Sequence, residues 1–351
     1  MAVYQQKGYT MAKNDSRTRA FTTTAKPKGK SKGHNGAKNK AVRRQRLVVS
    51  IFVIITLILV VFAALIIGKI VSTSQQAPTP QSQIHTVSRE AAAVHTGNLL
   101  LINDTFKYDL PADLSNMVNI YQYQKNSENA QFTQIDGKLT YTLTYDTICL
   151  SKATLDAFNQ MVLDYCNSTN SNSNFASNLE IAWGGYSEST RNEYQEDIAN
   201  IGKDFYDHAL GTAMTLKINS PSTVITESVL KQSFDWIYKN AHKYGFIIRY
   251  PDDCAQHTQI EANKRIHLRY IGIEHATYIF ENNICLEEYL ELLRTQYTYD
   301  NPLAVNGADG KAYSVYYVEC FGNPTSIPVP KDENYYISGD NMNGFIVTVE
   351  K

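Results

Sequence analysis

Apolar residues recur along the chain at two spacings, and one long apolar block precedes both. From Leu47 to Ile67 the sequence LVVSIFVIITLILVVFAALII contains only Ser50 and Thr56 as side-chain polar groups. As a helix this run is roughly 31 Å long, matching a hydrocarbon core of roughly 30 Å. Further on, Leu155, Phe158, Val162 and Tyr165 fall three or four apart behind a capping Ser151 and predict a helix to Cys166. The same spacing predicts helices through Tyr194, Ile198 and Ile201, through Leu230, Phe234, Ile237 and Ala241, and through Leu286, Tyr289, Leu290 and Leu293. Gly202 and Gly245 stop the first two of these, and Thr226 caps the second.

Alternation marks the strands. Leu139, Tyr141, Leu143 and Tyr145 share one face in LTYTLTY. Between Ala213 and Ile218, Met214, Leu216 and Ile218 point to a core, while Ala213, Thr215 and Lys217 point to a cleft or solvent. FIIRYP, ended by Pro251, and the half-buried run around His267 supply two more, and LLLIN at 99–103 reads as a short buried or edge strand. After Asn301, YSVYYVECF and GFIVTV are strand-like between turns at NGADG, NPTS and SGDNMNG. The pattern predicts an α+β fold, with helices packed on an antiparallel sheet, one transmembrane helix before it and a small β appendage after it.

Charge gives the block at 47–70 its orientation. Residues 1–46 carry 13 Lys or Arg against Asp15 alone, so this basic tail is expected in the cytoplasm and the rest of the chain outside. Beyond the anchor, 19 basic residues face 33 acidic ones, a balance that argues against a nucleic-acid surface. The expected order is a basic cytoplasmic tail at 1–46, an anchor at 47–70, a Ser-, Thr-, Gln- and Pro-rich extracellular linker at 71–98, a folded domain at 99–299 and the β appendage at 300–351. Five cysteines, Cys149, Cys166, Cys254, Cys285 and Cys320, show no CxxC spacing and suggest no disulfide-built fold.

The chemistry gathers around two histidines, His208 in DHALGTAMTL and His267 in IHLRYIG. In order and spacing, the helix LSKATLDAFNQMV, the turn GGYSE and the segments DHALGTAMTL, GFIIRYP, IHLRYIGIEHATYI and LEEYLELL resemble the D-alanyl-D-alanine carboxypeptidases of the VanY type over residues 99–295. That resemblance implies a zinc ion bound by the His and Asp of SxHxxGxAxD and by the His of ExWH, whose Glu is the general base. His208, Gly211 and Ala213 match the first motif and His267 the second.

The decisive positions depart from the family. Thr215 stands at the third zinc-ligand position, Lys264 at the catalytic Glu, Ile266 at the Trp and Tyr206 at the Ser, while Ser187, beside Tyr186, replaces an arginine of the substrate turn. A catalytic zinc needs three protein ligands and an open water position. Threonine is a poor ligand, and a lysine cannot take a proton from water. Unit charges 4 Å apart interact by about 4 kcal/mol at an effective dielectric near 20, so Lys264 also repels the dication.

The sequence therefore points to a membrane-held, cell-wall-facing relative without a catalytic residue. Its zinc is absent or weakly held at His208 and His267, and its cleft, with Tyr186, Ser187, Tyr206, Arg249 and Arg269, binds a peptidoglycan stem peptide or a cell-wall protein. Lys264, Arg265 and Arg269 are expected to line the approach to His267. Two alternatives remain: an active zinc peptidase with a rearranged site that recruits His257 or Glu261, and a structural cell-envelope protein that docks partners through its β appendage.

Overall fold

The computed structural model describes residues 84–351 apart from 104, 108–114, 169–178, 187–202, 219–226, 252–253 and 259–265, and leaves out the side chains of 203–206 and 227–233. No helix among the described residues is long and apolar enough to cross a membrane. The apolar block at 47–70, the helix through Ile198, and Ser187, Glu261, Lys264 and Arg265 lie outside the described residues, as does the side chain of Tyr206.

Five strands form the sheet that carries the family motifs: β2 (Thr142–Leu143), β4 (Leu179–Trp183), β5 (Ala213–Ile218), β6 (Phe246–Ile248) and β7 (Ile266–Tyr270). Their order is β6-β7-β5-β4-β2. Every pair is antiparallel except β2 and β4, which run parallel, so the sheet is mixed rather than antiparallel throughout. A separate three-stranded sheet pairs β3 (Ile148–Ser151) with Met117–Asn119 and Gly185–Tyr186.

Helix α1 (Lys152–Ser168) begins where its period predicts, with the Thr154 amide donating to Ser151 Oγ at 3.3 Å. Its face of Leu155, Phe158, Val162 and Tyr165 is buried against Ile181, Met214, Leu216 and Leu268 of the sheet. Each such side chain contributes roughly 1.5–3 kcal/mol by leaving water. Helix α2 (Glu227–Asn240) adds Phe234 and Ile237 to the same core, and the chain turns out at Gly245, whose φ of 83° is left-handed.

A second core joins α3 (Ile273–Asn282) and α4 (Leu286–Gln296) to the C-terminal strands. Strands β8 (Leu303–Asn306), β9 (Ala312–Glu319), β11 (Tyr335–Gly339) and β12 (Gly344–Glu350) form an antiparallel sheet ordered β8-β9-β12-β11. Leu286, Tyr289, Leu290 and Leu293 of α4 pack in one cluster with Val305, Val315 and Ile346 of that sheet. The C-terminal β structure thus shares its interior with the helices.

Three segments differ from their expected form. Residues 84–89, expected within a tether, form β1 (Ile84–Arg89), which pairs along its whole length with β10 (Thr325–Pro330). Residues 99–102 are buried but belong to no ladder. Their backbone groups are satisfied elsewhere: the Leu99 amide donates to Ser338 Oγ at 3.0 Å, the Leu101 amide to the Asp340 carbonyl at 3.0 Å, and Asn341 Nδ2 to the Leu101 carbonyl at 2.8 Å. In 139–145 the alternation fails, because Tyr141 is fully buried while Leu139 and Tyr145 are 37% and 48% exposed.

The contact between α3, α4 and the C-terminal sheet buries a titratable pair. His275 Nδ1 meets the Tyr289 hydroxyl at 2.7 Å, and its Nε2 lies 3.2 Å from Glu274 Oε1. Burial raises the Glu274 carboxyl to about 7 and lowers the His275 imidazole to about 3. Unfolded, Glu274 ionises near its ordinary 4.5, so between that value and about 7 the folded chain holds the extra proton and stability falls as pH rises. His275 acts oppositely: from its ordinary 6.5 down to about 3 the unfolded chain takes up the proton, and stability falls as pH falls. Glu274→Gln removes only the first contribution. Urea titrations should therefore show wild-type stability falling relative to this variant by about 2 kcal/mol from pH 5 to pH 7. A difference that does not change with pH would contradict the assignment.

Candidate active site

The two histidines of the family motifs come together. A 3-10 helix, Lys203–Leu210, carries His208, and Gly211 at φ 66° turns the chain into β5. Strand β7 lies antiparallel to β5 with His267 directly opposite Thr215. The imidazoles of His208 and His267 stand 4.6 Å apart, centroid to centroid, and both are buried. Alternation on β7 puts His267 and Arg269 on one face. Thr215, expected to face a cleft, faces this pair, with its Oγ1 3.2 Å from His208 Nε2.

Beside the histidines stands a carboxylate that the family motifs pass over. Asp207, beside His208 in sequence, is 1% exposed. Its Oδ1 is 3.0 Å from His267 Nε2. Its Oδ2 accepts from Arg269 NH1 at 3.3 Å and lies 3.7 Å from Arg249 Nε. Burial opposes ionisation of Asp207, but His267, Arg269 and Arg249 together outweigh it and hold the carboxyl well below the usual carboxylate range.

Neither arginine lines an open approach. Arg269 is 1% exposed, and besides Asp207 its NH2 donates to the Asn98 and Leu100 carbonyls, both at 3.0 Å. It thereby pins the ladder-free segment at 99–102 to the site. Arg249 is 4% exposed and donates from both terminal nitrogens to the Glu287 carboxylate, each at 2.8 Å. Its guanidinium also covers the Tyr250 ring at 4.5 Å, and that ring meets His267 edge-on at 5.3 Å. Burial lowers the pKa of Arg269, whereas for Arg249 the Glu287 charge overcomes burial and raises it.

Other sequence candidates lie elsewhere. Tyr186 is half-buried at the edge of the three-stranded sheet. His257 sits on the helical turn Ala255–Thr258, with its Nε2 3.2 Å from Glu288 Oε1 rather than beside His208. Asp207, Tyr250 and Glu287 were missed, although the Asp-His dipeptide at 207–208 was a visible signal for the first of them.

This donor set does not fit a water-activating zinc. The ligand atoms of Asp207, His208 and His267 lie within 4.8 Å of one another, near enough to consider an ion. The third position of the family pattern, however, is a neutral hydroxyl engaged with His208. Among the described residues the carboxylate beside the histidines is Asp207, already matched to two buried guanidiniums, so a dication there would sit against both of them.

Comparison with known proteins agrees with the arrangement of strands and motifs. The family model described as VanY, D-alanyl-D-alanine carboxypeptidase, matches residues 183–273. A D-alanyl-D-alanine carboxypeptidase of Enterococcus faecium is 32% identical over 272 residues, covering 76% of this chain and 79% of that one. The fold is similar to that of the vancomycin-resistance D,D-dipeptidase VanXYg, solved with a D-Ala-D-Ala phosphinate analogue: TM-score 0.56, 22% identity, 77% of this chain and all 100% of that one. A VanY mutant from a VanB-type resistance cassette, solved in complex with Zn(II), matches more loosely at a TM-score of 0.32 and 20% identity, over 55% of this chain and 98% of that one. With a relative 32% identical and matched over 79% of its length, the chain belongs to the D-alanyl-D-alanine carboxypeptidase family.

Proposed function

We propose that this chain is a non-hydrolytic member of its family, held in the cell membrane by residues 47–70 with its folded part outside, where it binds a peptidoglycan stem peptide. The observation that carries the loss of hydrolysis is Thr215 in register with His267, its hydroxyl on His208 Nε2 where the family's acidic ligand stands. Lys264 at the general-base position supports the same reading, because a general base contributes typically ~10²- to 10⁴-fold and an ammonium cannot act as one. The named relatives support the ligand: one is a D-alanyl-D-alanine carboxypeptidase, and another was solved with a D-Ala-D-Ala analogue. Arg249 and Arg269 are buried and engaged with carboxylates, so neither guanidinium is offered to a peptide.

Calorimetric titration of the full chain with a pentapeptide ending in D-Ala-D-Ala tests the binding. Saturable heat without cleavage is expected, and no heat at millimolar peptide would remove the ligand from the proposal. Membrane placement predicts that the chain sediments with membranes and that deleting residues 47–70 releases it. Equal sedimentation of both forms would contradict the anchor.

The proximity of Asp207, His208 and His267 favours one second reading, a rearranged zinc centre that uses Asp207 as its acid. It requires the two arginines to give up that carboxylate. Stoichiometric zinc lost on His208→Ala, together with release of D-alanine, would select it.

A further inference from the structure

Away from the two motif histidines, the described residues bring a second set of ligating atoms together. Cys254 precedes the Ala255–Thr258 turn, Cys285 precedes α4, and each is 3% exposed. Their sulfurs and a Glu288 carboxylate oxygen all lie within 4.8 Å of one another. The Cys254 thiol points to Glu288 Oε2 at 3.7 Å, and the Cys285 amide donates to the same oxygen at 2.9 Å. The other Glu288 oxygen is 3.2 Å from His257 Nε2. No disulfide joins the two cysteines.

The chemistry of this quartet differs from that of an acidic surface patch. Two sulfurs, one imidazole and one carboxylate are the donor types of a tetrahedral zinc site, with metal–sulfur bonds near 2.3 Å and metal–nitrogen or metal–oxygen bonds near 2.1 Å. Such bonds place neighbouring donors roughly 3.3–3.8 Å apart; the Cys254 sulfur and Glu288 Oε2 already stand 3.7 Å apart, and His257 lies against the other oxygen of the same carboxylate. Thiolate donors select soft ions over magnesium and calcium. The site is also reachable: a cavity of about 330 Å³ lined by His257, Glu287, Glu288 and Glu291 opens on its imidazole and carboxylate side. Its acidic walls favour entry of a cation.

We propose that Cys254, Cys285, Glu288 and His257 bind one soft divalent cation of the zinc class in a structural site that clamps the 254–258 turn onto the start of α4. Binding deprotonates both thiols and releases two protons. The clamp adjoins the family site, because Glu287 on the same turn of α4 holds Arg249, and Arg249 adjoins Asp207.

The test is anaerobic titration of the reduced full chain with Co²⁺ alone, reading the sulfur-to-cobalt charge-transfer absorption in the near ultraviolet. One equivalent with that band is expected, displaceable by Zn²⁺. Cys254→Ser with Cys285→Ser should erase the band and weaken binding by roughly a hundredfold or more. His257→Ala alters a partly exposed side chain, so it should weaken binding without threatening the fold. His208→Ala should leave the band intact, which separates this site from the family position. The proposal is overturned if the band is absent, if it survives both serine substitutions, if His257→Ala has no effect, or if the band is lost in His208→Ala. Non-reducing peptide mapping that finds Cys254 bonded to Cys285 in the chain as isolated would overturn it as well.

Discussion

Asp207→Ala is expected to cost about 3–5 kcal/mol of folding stability, the largest effect of any single substitution at the candidate site. The carboxylate it removes is 1% exposed and is the common partner of His267, Arg269 and Arg249. Among the described residues, Arg269 then keeps the carbonyls of Asn98 and Leu100, and Arg249 keeps Glu287 and the face of Tyr250. Two guanidiniums then face one carboxylate away from water, and an uncompensated buried charge costs several kcal/mol. Because domains are stable by only about 5–15 kcal/mol, a clear drop in the denaturant midpoint should be visible at neutral pH. The carboxyl is held well below the usual range in the fold, so its contribution is fully present above the unfolded pKa near 3.9 and is lost only as pH falls through the folded value. Removing one excess charge should restore part of the loss: Asp207→Ala with Arg269→Met should be more stable than the sum of the two single losses. A cost below about 1 kcal/mol for Asp207→Ala would mean that the buried network carries little of the fold.

The second large effect is a gain. Thr215→Asp together with Lys264→Glu returns an acid to each position where the family pattern has one. Position 215 is already in register with His267 and within hydrogen-bond reach of His208, so the new carboxylate enters beside both imidazoles. A pair of unit charges 4 Å apart interacts by about 4 kcal/mol at an effective dielectric near 20, close to a thousandfold in affinity, and the double variant shifts the pocket by more than one unit charge toward a dication. Zinc binding that depends on His208 should strengthen by about a thousandfold or more in the double variant, measured with Cys254 and Cys285 replaced by Ser so that no second set of ligands competes. No change in His208-dependent zinc affinity would show that Asp207 and its arginines, rather than the missing acids, govern the pocket.

Much of the frame was legible because it rests on local periodicity. The face of α1 at Leu155, Phe158, Val162 and Tyr165 follows from spacing alone, and so does the stop at Gly245. The opposition of His267 and Thr215 was readable only through family motifs, since antiparallel register joins residues far apart in sequence. What stayed hidden was decided by distant partners. Residues 84–89 look like a polar tether until β10 offers them a ladder, and 99–102 look like a strand although their hydrogen bonds go to Arg269, Ser338, Asp340 and Asn341. In 139–145 the Thr140 amide and hydroxyl both turn to the Thr133 carbonyl, and the Tyr141 hydroxyl reaches Asn159, which breaks the expected alternation.

The site divides in the same way. Strand parity gave the face of Arg269 but not what covers it, so a buried ion pair read as a cation on an open approach. Asp207 escaped notice because the family pattern directs attention seven residues on from His208, to Thr215, whereas the carboxylate present is one residue before it. A glutamate on α4 and an arginine after β6 meet only in the folded chain.

The most direct test is D-alanine release from a pentapeptide ending in D-Ala-D-Ala, assayed with the purified full chain and excess zinc beside its His208→Ala variant. A pocket without its acids predicts a rate equal to that of buffer with zinc for both proteins. Release by the wild-type chain that disappears in His208→Ala would contradict the loss of hydrolysis and establish a working hydrolase built on a different set of acids.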